Sequence, residues 1–226
     1  MTPAQVIALL PDPETLLRRC YLHIAGGATR TATVPTAPPP PANGQAQVAT
    51  FAVEIGHQTV PGFTTGLSGL LGLRKDRPFV KFTKVHGAAI VPAPADHFNA
   101  YYIPMVQVGD VAAGTSHYTL PTGAGALDLM ITSKLSGCTF SVGSDGGGAV
   151  LVTHVQPDAA HMGGSAALSG IAQTGMAATR GEFRRTHEYA ELAAILGRRA
   201  GAVWTFHMQA SRVSGFSYEI NSTRRL

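Results

Sequence analysis

The chain has 226 residues, 45% of them hydrophobic and only 13% charged, with two cysteines. That balance excludes disorder of the whole chain and a disulfide-stapled scaffold, and the length suffices to bury a substantial core. The net charge of +4 is uneven: residues 1–179 balance nine Lys/Arg against nine Asp/Glu, whereas 180–226 hold eight Arg against four acidic residues.

Thr2-Pro3 resembles an N-cap followed by proline at the first helical position, and Asp12-Pro13-Glu14 repeats the signal for a short helix reaching about Arg19. Residues 21–25 alternate like a strand. Pro35 and Pro38 to Pro41 fall in a proline-rich loop spanning 35–44. Strand texture then dominates, over 46–55, 79–86, 101–108 and 126–133. Segments 138–142 and 149–155 read as a hairpin around the Gly-rich run 143–148. Residues 182–196 predict a long helix ending at Gly197, and 202–208 and 213–220 predict two closing strands. The expected architecture is α+β: one catalytic domain over 1–226, with a mixed β-sandwich-like core flanked by a few helices. No stretch of about 18 apolar residues predicts a membrane span. Residues 1–20 lack a basic segment ahead of an apolar one, so no secretory signal peptide is expected there.

Two cysteines are read differently. Cys20 closes a short amphipathic helix and suits packing. Cys138 stands in Leu135-Ser136-Gly137-Cys138, between small residues and a strand, and His154 follows sixteen residues later on the facing arm of the hairpin. An imidazole beside a thiol stabilises the attacking thiolate. A glycine before the nucleophile lets successive N–H groups converge on one oxygen, as an oxyanion requires. On spacing alone, a buried core cysteine is the commoner outcome.

The string Leu-Ser-Gly-Cys, a Gly-rich turn at Gly143-Ser144-Asp145-Gly146-Gly147 and the downstream His154 resemble the glutamine deamidase toxins. That group includes Burkholderia lethal factor and the catalytic domain of cytotoxic necrotizing factor, with the chemotaxis receptor deamidase more distant. The resemblance spans about residues 132–157. It implies that Cys138 is the nucleophile, His154 its acid/base partner and Thr132 the residue that orients the imidazole, with Ser136 and Gly137 in the oxyanion loop. It further implies a hydrolase that converts a glutamine of a host protein to glutamate without a cofactor or metal. The substrates of such toxins include Rho-family GTPases and a translation-initiation helicase. A toxin or virulence effector of this kind would be secreted or injected and act in the host cytosol.

Alternatives stay open: a cysteine protease or transglutaminase using the same pair, or a non-catalytic binding module. The Arg-rich end suits either a solvated surface or a patch for an acidic protein, and a nucleic-acid partner is not expected. Nine histidines lack the spacing of a metal motif. Gly66, Gly69 and Gly72 beside Arg74-Lys75-Asp76-Arg77 read as a flexible loop. Asp145 and Asp158 read as a turn former and a loop cap, and Trp204 and Tyr218 as core residues of strands.

Overall fold

The N-terminal helices form for local reasons. In a computed structural model, Thr2 Oγ1 accepts from the Gln5 N–H while Gln5 Oε1 accepts from the Thr2 N–H, so a reciprocal capping box opens α1 (Pro3–Leu9). Asp12 Oδ1 accepts from the Thr15 N–H and caps α2 (Pro13–Arg19). The structure describes residues 1–25, 44, 46–56, 78–108, 117–185, 187–214 and 217–226, without the side chains of 214 and 217–219. Most of the proline-rich 35–44 stretch, the Gly66–Gly72 loop with its basic neighbours, and the Tyr218 side chain lie outside those residues.

Strands dominate the rest: β1 (Tyr21–Ala25), β2 (Gln47–Gly56), β3 (Phe79–His86), β4 (His97–Ile103), β5 (Val106–Gln107), β6 (Tyr118–Leu120), β7 (Leu129–Thr132), β8 (Thr139–Ser144) and β9 (Val150–Gln156). After α3 (Ala166–Gln173) come β10 (Ala178–Arg184), β11 (Leu192–Ala200), β12 (Val203–Ser214) and β13 (Ser217–Arg225). They build a large sheet of eight strands, ordered β1-β3-β2-β4-β7-β11-β12-β13, and a small one ordered β10-β8-β9-β5, with β6 also pairing β9. The fold is α+β with few helices, as composition and strand texture suggest.

Period-two alternation sorts the side chains into layers. Tyr101, Ile103, Met130, Ile195, Trp204, Phe206 and Met208 of the large sheet meet Phe140, Val142, Val150, Val152 and Phe183 of the small one in a shared core. The opposite face of the large sheet, with Phe51, Phe82, Tyr102, Ile131 and Leu196, packs on Val6, Leu10, Leu16 and Leu17 of the N-terminal helical segment. On the outer face of the small sheet, Val155 packs on Leu168 and Ala172 of α3. The order is therefore helix, sheet, sheet, helix.

The helix expected over 182–196 is not formed. Its first residues end β10, a turn through Tyr189 follows, and Leu192 begins β11. β11 lies between β7 and β12, buried on both faces, with Ala193 and Ile195 toward the small sheet and Ala194 and Leu196 toward the helices. A strand covered on both sides reads as a continuous apolar run, which periodicity cannot separate from a helix; here tertiary context overrides the propensity of Ala, Leu and Glu. The basic segment is accordingly strand, not helix. α3 was not anticipated, although Ser165 caps it through a bond from the Leu168 N–H to its Oγ.

Candidate active site

The chain passes from the large sheet to the small one twice at one end of the sandwich. One crossing runs from Ile103 through Pro104 and Met105 to Val106; the other leaves Thr132 and enters β8 at Thr139. Cys138 ends the second crossing. The hairpin that follows forms because Asp145 Oδ1 accepts from the N–H groups of Gly147 (2.8 Å) and Ala149 (3.1 Å), a turn-forming role. Gly146 and Gly148 take positive φ. The β8–β9 register places Phe140 opposite His154. Cys138, two residues before Phe140, thus shares the core-facing side of the small sheet with His154, one step along the diagonal.

Thr132 reaches His154 from the large sheet. Its Oγ1 lies 2.8 Å from the Ile103 carbonyl and 2.7 Å from His154 Nδ1. A carbonyl only accepts, so the single hydroxyl proton goes to Ile103 and Nδ1 must carry the proton it donates to Thr132. Ser133 Oγ stands farther from Nδ1, at 3.4 Å. The tautomer is thereby assigned from the bonding pattern: Nε2 holds a lone pair. That Nε2 is buried and has no hydrogen-bond partner among the described residues. The imidazole is 0% exposed, and burial pushes its pKa down to about 3, so it is neutral at physiological pH.

The thiol is covered as well. Cys138 is 2% exposed, and its Sγ lies 3.7 Å from Sδ of Met105, which is itself 40% exposed and forms part of the first crossing. Burial raises the thiol pKa to about 11, while backbone N–H groups of Ser136 and Cys138 pull the other way by favouring the thiolate. In this closed arrangement the pair is thiol and neutral imidazole, with no hydrogen bond between them.

Gly137 takes φ +119°, a left-handed conformation that glycine adopts without strain. Its N–H donates to Tyr189 Oη (3.2 Å), and that hydroxyl donates to the Cys138 carbonyl (2.5 Å). Gly137 therefore spends its N–H on Tyr189, and the N–H groups that face the sulfur are those of Ser136 and Cys138. Gly163 packs its backbone on Gly137: a Cβ there would fall 2.4 Å from the Gly137 oxygen. Ser136 is exposed at the mouth of the loop.

Thr132, Ser136, Gly137, Cys138 and His154 thus meet at one corner. Asp158 is not among them: its Oδ1 accepts from the N–H groups of Ala160 and His161 and from the His161 ring, capping an exposed loop. Trp204 is buried, with Nε1 donating to the Pro121 carbonyl. Sequence reasoning missed Tyr189, Met105 and the Ile103 carbonyl. A tyrosine three residues before a buried apolar run was the one available signal. Met105 lies 33 residues before Cys138, beyond the reach of any local pattern, and only the crossing of sheets brings the two together. No family model and no curated protein matches the chain.

Proposed function

We propose that the protein is a cysteine-dependent protein glutamine deamidase, a hydrolase of the toxin or effector type, with Cys138 as nucleophile and His154 as acid/base. The observation that carries this reading is the doubly engaged Thr132 hydroxyl, which commits the Nδ1 proton and leaves Nε2 as a lone-pair base on the face that bears Cys138.

The chemistry balances with these groups alone. As Sγ attacks the carboxamide carbon of a glutamine, its proton passes to Nε2 and the oxygen takes the negative charge, facing the N–H groups of Ser136 and Cys138. Collapse of that intermediate breaks the C–N bond, and Nε2–H protonates the departing ammonia. Water then attacks the thioester, giving its proton to Nε2; the C–S bond breaks, the thiol recovers the proton and glutamate remains. The raised thiol and lowered imidazole pKa values oppose the first proton transfer while the site is closed. Displacement of Met105 by the incoming side chain is the step that opens it.

The test is incubation with a host-cell lysate and peptide mapping for a mass gain of about 1 Da at glutamine, the difference between an amide and an acid. Wild type should produce such sites and Cys138→Ser should not. An identical pattern from both proteins overturns the proposal, and cleaved peptides in place of deamidated ones favour a protease.

A further inference from the structure

Part of the arginine excess in residues 180–226 is consumed by the fold: Arg184 pairs with Glu182, and Arg198 and Arg199 pair with Asp128. Arg185 is placed differently. In the β8–β10 register Phe183 lies opposite Phe140 and Arg184 opposite Thr139, so Arg185 comes one step further on, beside Cys138. Phe183, Phe140 and Cys138 share the face between the sheets. Alternation sets Arg185 on that face too, at its open end, where the residue is exposed.

The guanidinium is held at the nucleophile loop. Its Nε donates to the Ala190 carbonyl at 3.2 Å. Its Nη1 lies 3.7 Å from the place a Cβ on Gly137 would take, as does Cγ of Pro157 just past β9. Arg185 forms no ion pair among the described residues. The carboxylates around it are engaged elsewhere. Glu182 holds Arg184, Ser169 and Gln173; Glu188 accepts from the Arg184 N–H; Asp158 accepts from its own loop and the His161 ring. Burial first and Cys138 second raise the pKa of the Tyr189 phenol, whereas the Gly137 N–H and Arg185 lower it. The Cys138 thiol is shifted by burial and by backbone N–H groups. The charge is thus felt beside Tyr189, on the rim of the site, and not at the sulfur.

We infer that Arg185 is a specificity-determining residue that selects glutamines flanked by a carboxylate, so that acidic protein segments are the substrate class. The inference rests on the deamidase reading. A guanidinium anchored through Nε keeps both terminal nitrogens for a partner, and a carboxylate can accept from the two in parallel. A glutamine whose carboxamide reaches Cys138 leaves its backbone at the rim. Consecutive Cα atoms stand about 3.8 Å apart, which brings a flanking acidic side chain to Arg185.

The experiment gives the full chain two peptides of one sequence with a single glutamine, flanked by glutamates in one and by serines in the other. At low salt kcat/KM should favour the acidic peptide by about fivefold, and added salt should shrink that preference. Arg185→Gln should abolish the preference, and Arg185→Lys, which keeps the charge without the fork, should retain part of it. Arg18→Gln makes the same change of charge in the helical layer across the large sheet and should leave the preference intact. A second measurement needs no deamidation: the rate of Cys138 alkylation by anionic iodoacetate relative to neutral iodoacetamide should fall about threefold in Arg185→Gln. Equal kcat/KM for the two peptides, or a preference that survives Arg185→Gln, overturns the inference. If neither peptide is deamidated, the deamidase reading fails by itself; the alkylation ratio then decides, and an unchanged ratio overturns the anion-recruiting role as well.

Discussion

The two cysteines occupy two layers of the same sandwich and are equally buried, yet their surroundings differ. Cys20 sits between the helices and the large sheet, where its thiol donates to the Leu16 carbonyl at 3.2 Å in an apolar cluster. Cys138 sits between the sheets at a corner where both crossings pass, near an imidazole nitrogen that has no hydrogen-bond partner among the described residues and against the half-exposed Met105. Burial by itself therefore does not separate a packing thiol from the proposed nucleophile. What separates them is a base on the same face and the flexible Met105 thioether beside the sulfur.

The strongest way to break that contrast is to remove the base. His154→Ala should lower deamidation by roughly 10²- to 10⁴-fold, the usual worth of a positioned acid/base. It should also bring alkylation of Cys138 toward the slow rate of Cys20. Thr132→Val should give a smaller loss in the same direction, because Nδ1–H loses its acceptor and the Nε2 lone pair is no longer enforced. Thr132→Ser keeps the hydroxyl and should restore most activity. A Thr132→Val protein with full activity would show that the threonine only packs.

Next in size is Tyr189→Phe, which deletes one hydroxyl and strands both the Gly137 N–H and the Cys138 carbonyl in a buried loop. The expected cost is about 2 kcal/mol, or roughly 4–8 °C in Tm for a chain of this size. Peptides around 136–138 should lose hydrogen-exchange protection while those around Cys20 keep it. Equal loss in both places would make Tyr189 a global packing residue and not a support of the nucleophile loop.

How much of this was legible in the sequence follows from distance along the chain. The hairpin was legible because Asp145 and its glycines specify the turn locally, and alternation then sets Cys138 and His154 on one face. Thr132 came from a motif offset in a resemblance; nothing in its own neighbourhood marks it as the partner of an imidazole. Met105 and Tyr189 were not legible, since they arrive from 33 and 51 residues away through sheet crossings and a turn that local propensity reads as helix. The same error hid β11. A run such as Leu192-Ala193-Ala194-Ile195-Leu196 carries no period once both its faces are covered, so only its place between β7 and β12 makes it a strand.

The finest test acts on the cover. Met105→Ala removes the thioether over the thiol without touching His154 or Thr132. The thiol pKa stands at about 11 because burial disfavours the anion, so admitting water lowers it toward the ordinary value near 9. Alkylation follows the thiolate fraction, which at a fixed pH below both values rises tenfold for each unit by which the pKa falls. A fall halfway to that value should therefore raise labelling of Cys138 at pH 8 by about tenfold, and the midpoint of its pH profile should move to lower pH. Cys20, buried in the helical layer, should show neither change. The imidazole moves oppositely: hydration raises a base held near pH 3 by burial, so the closed site's opposition to proton transfer falls from both ends. If Met105→Ala leaves the Cys138 profile unmoved, the cover lies elsewhere and the two cysteines differ only in their neighbouring base.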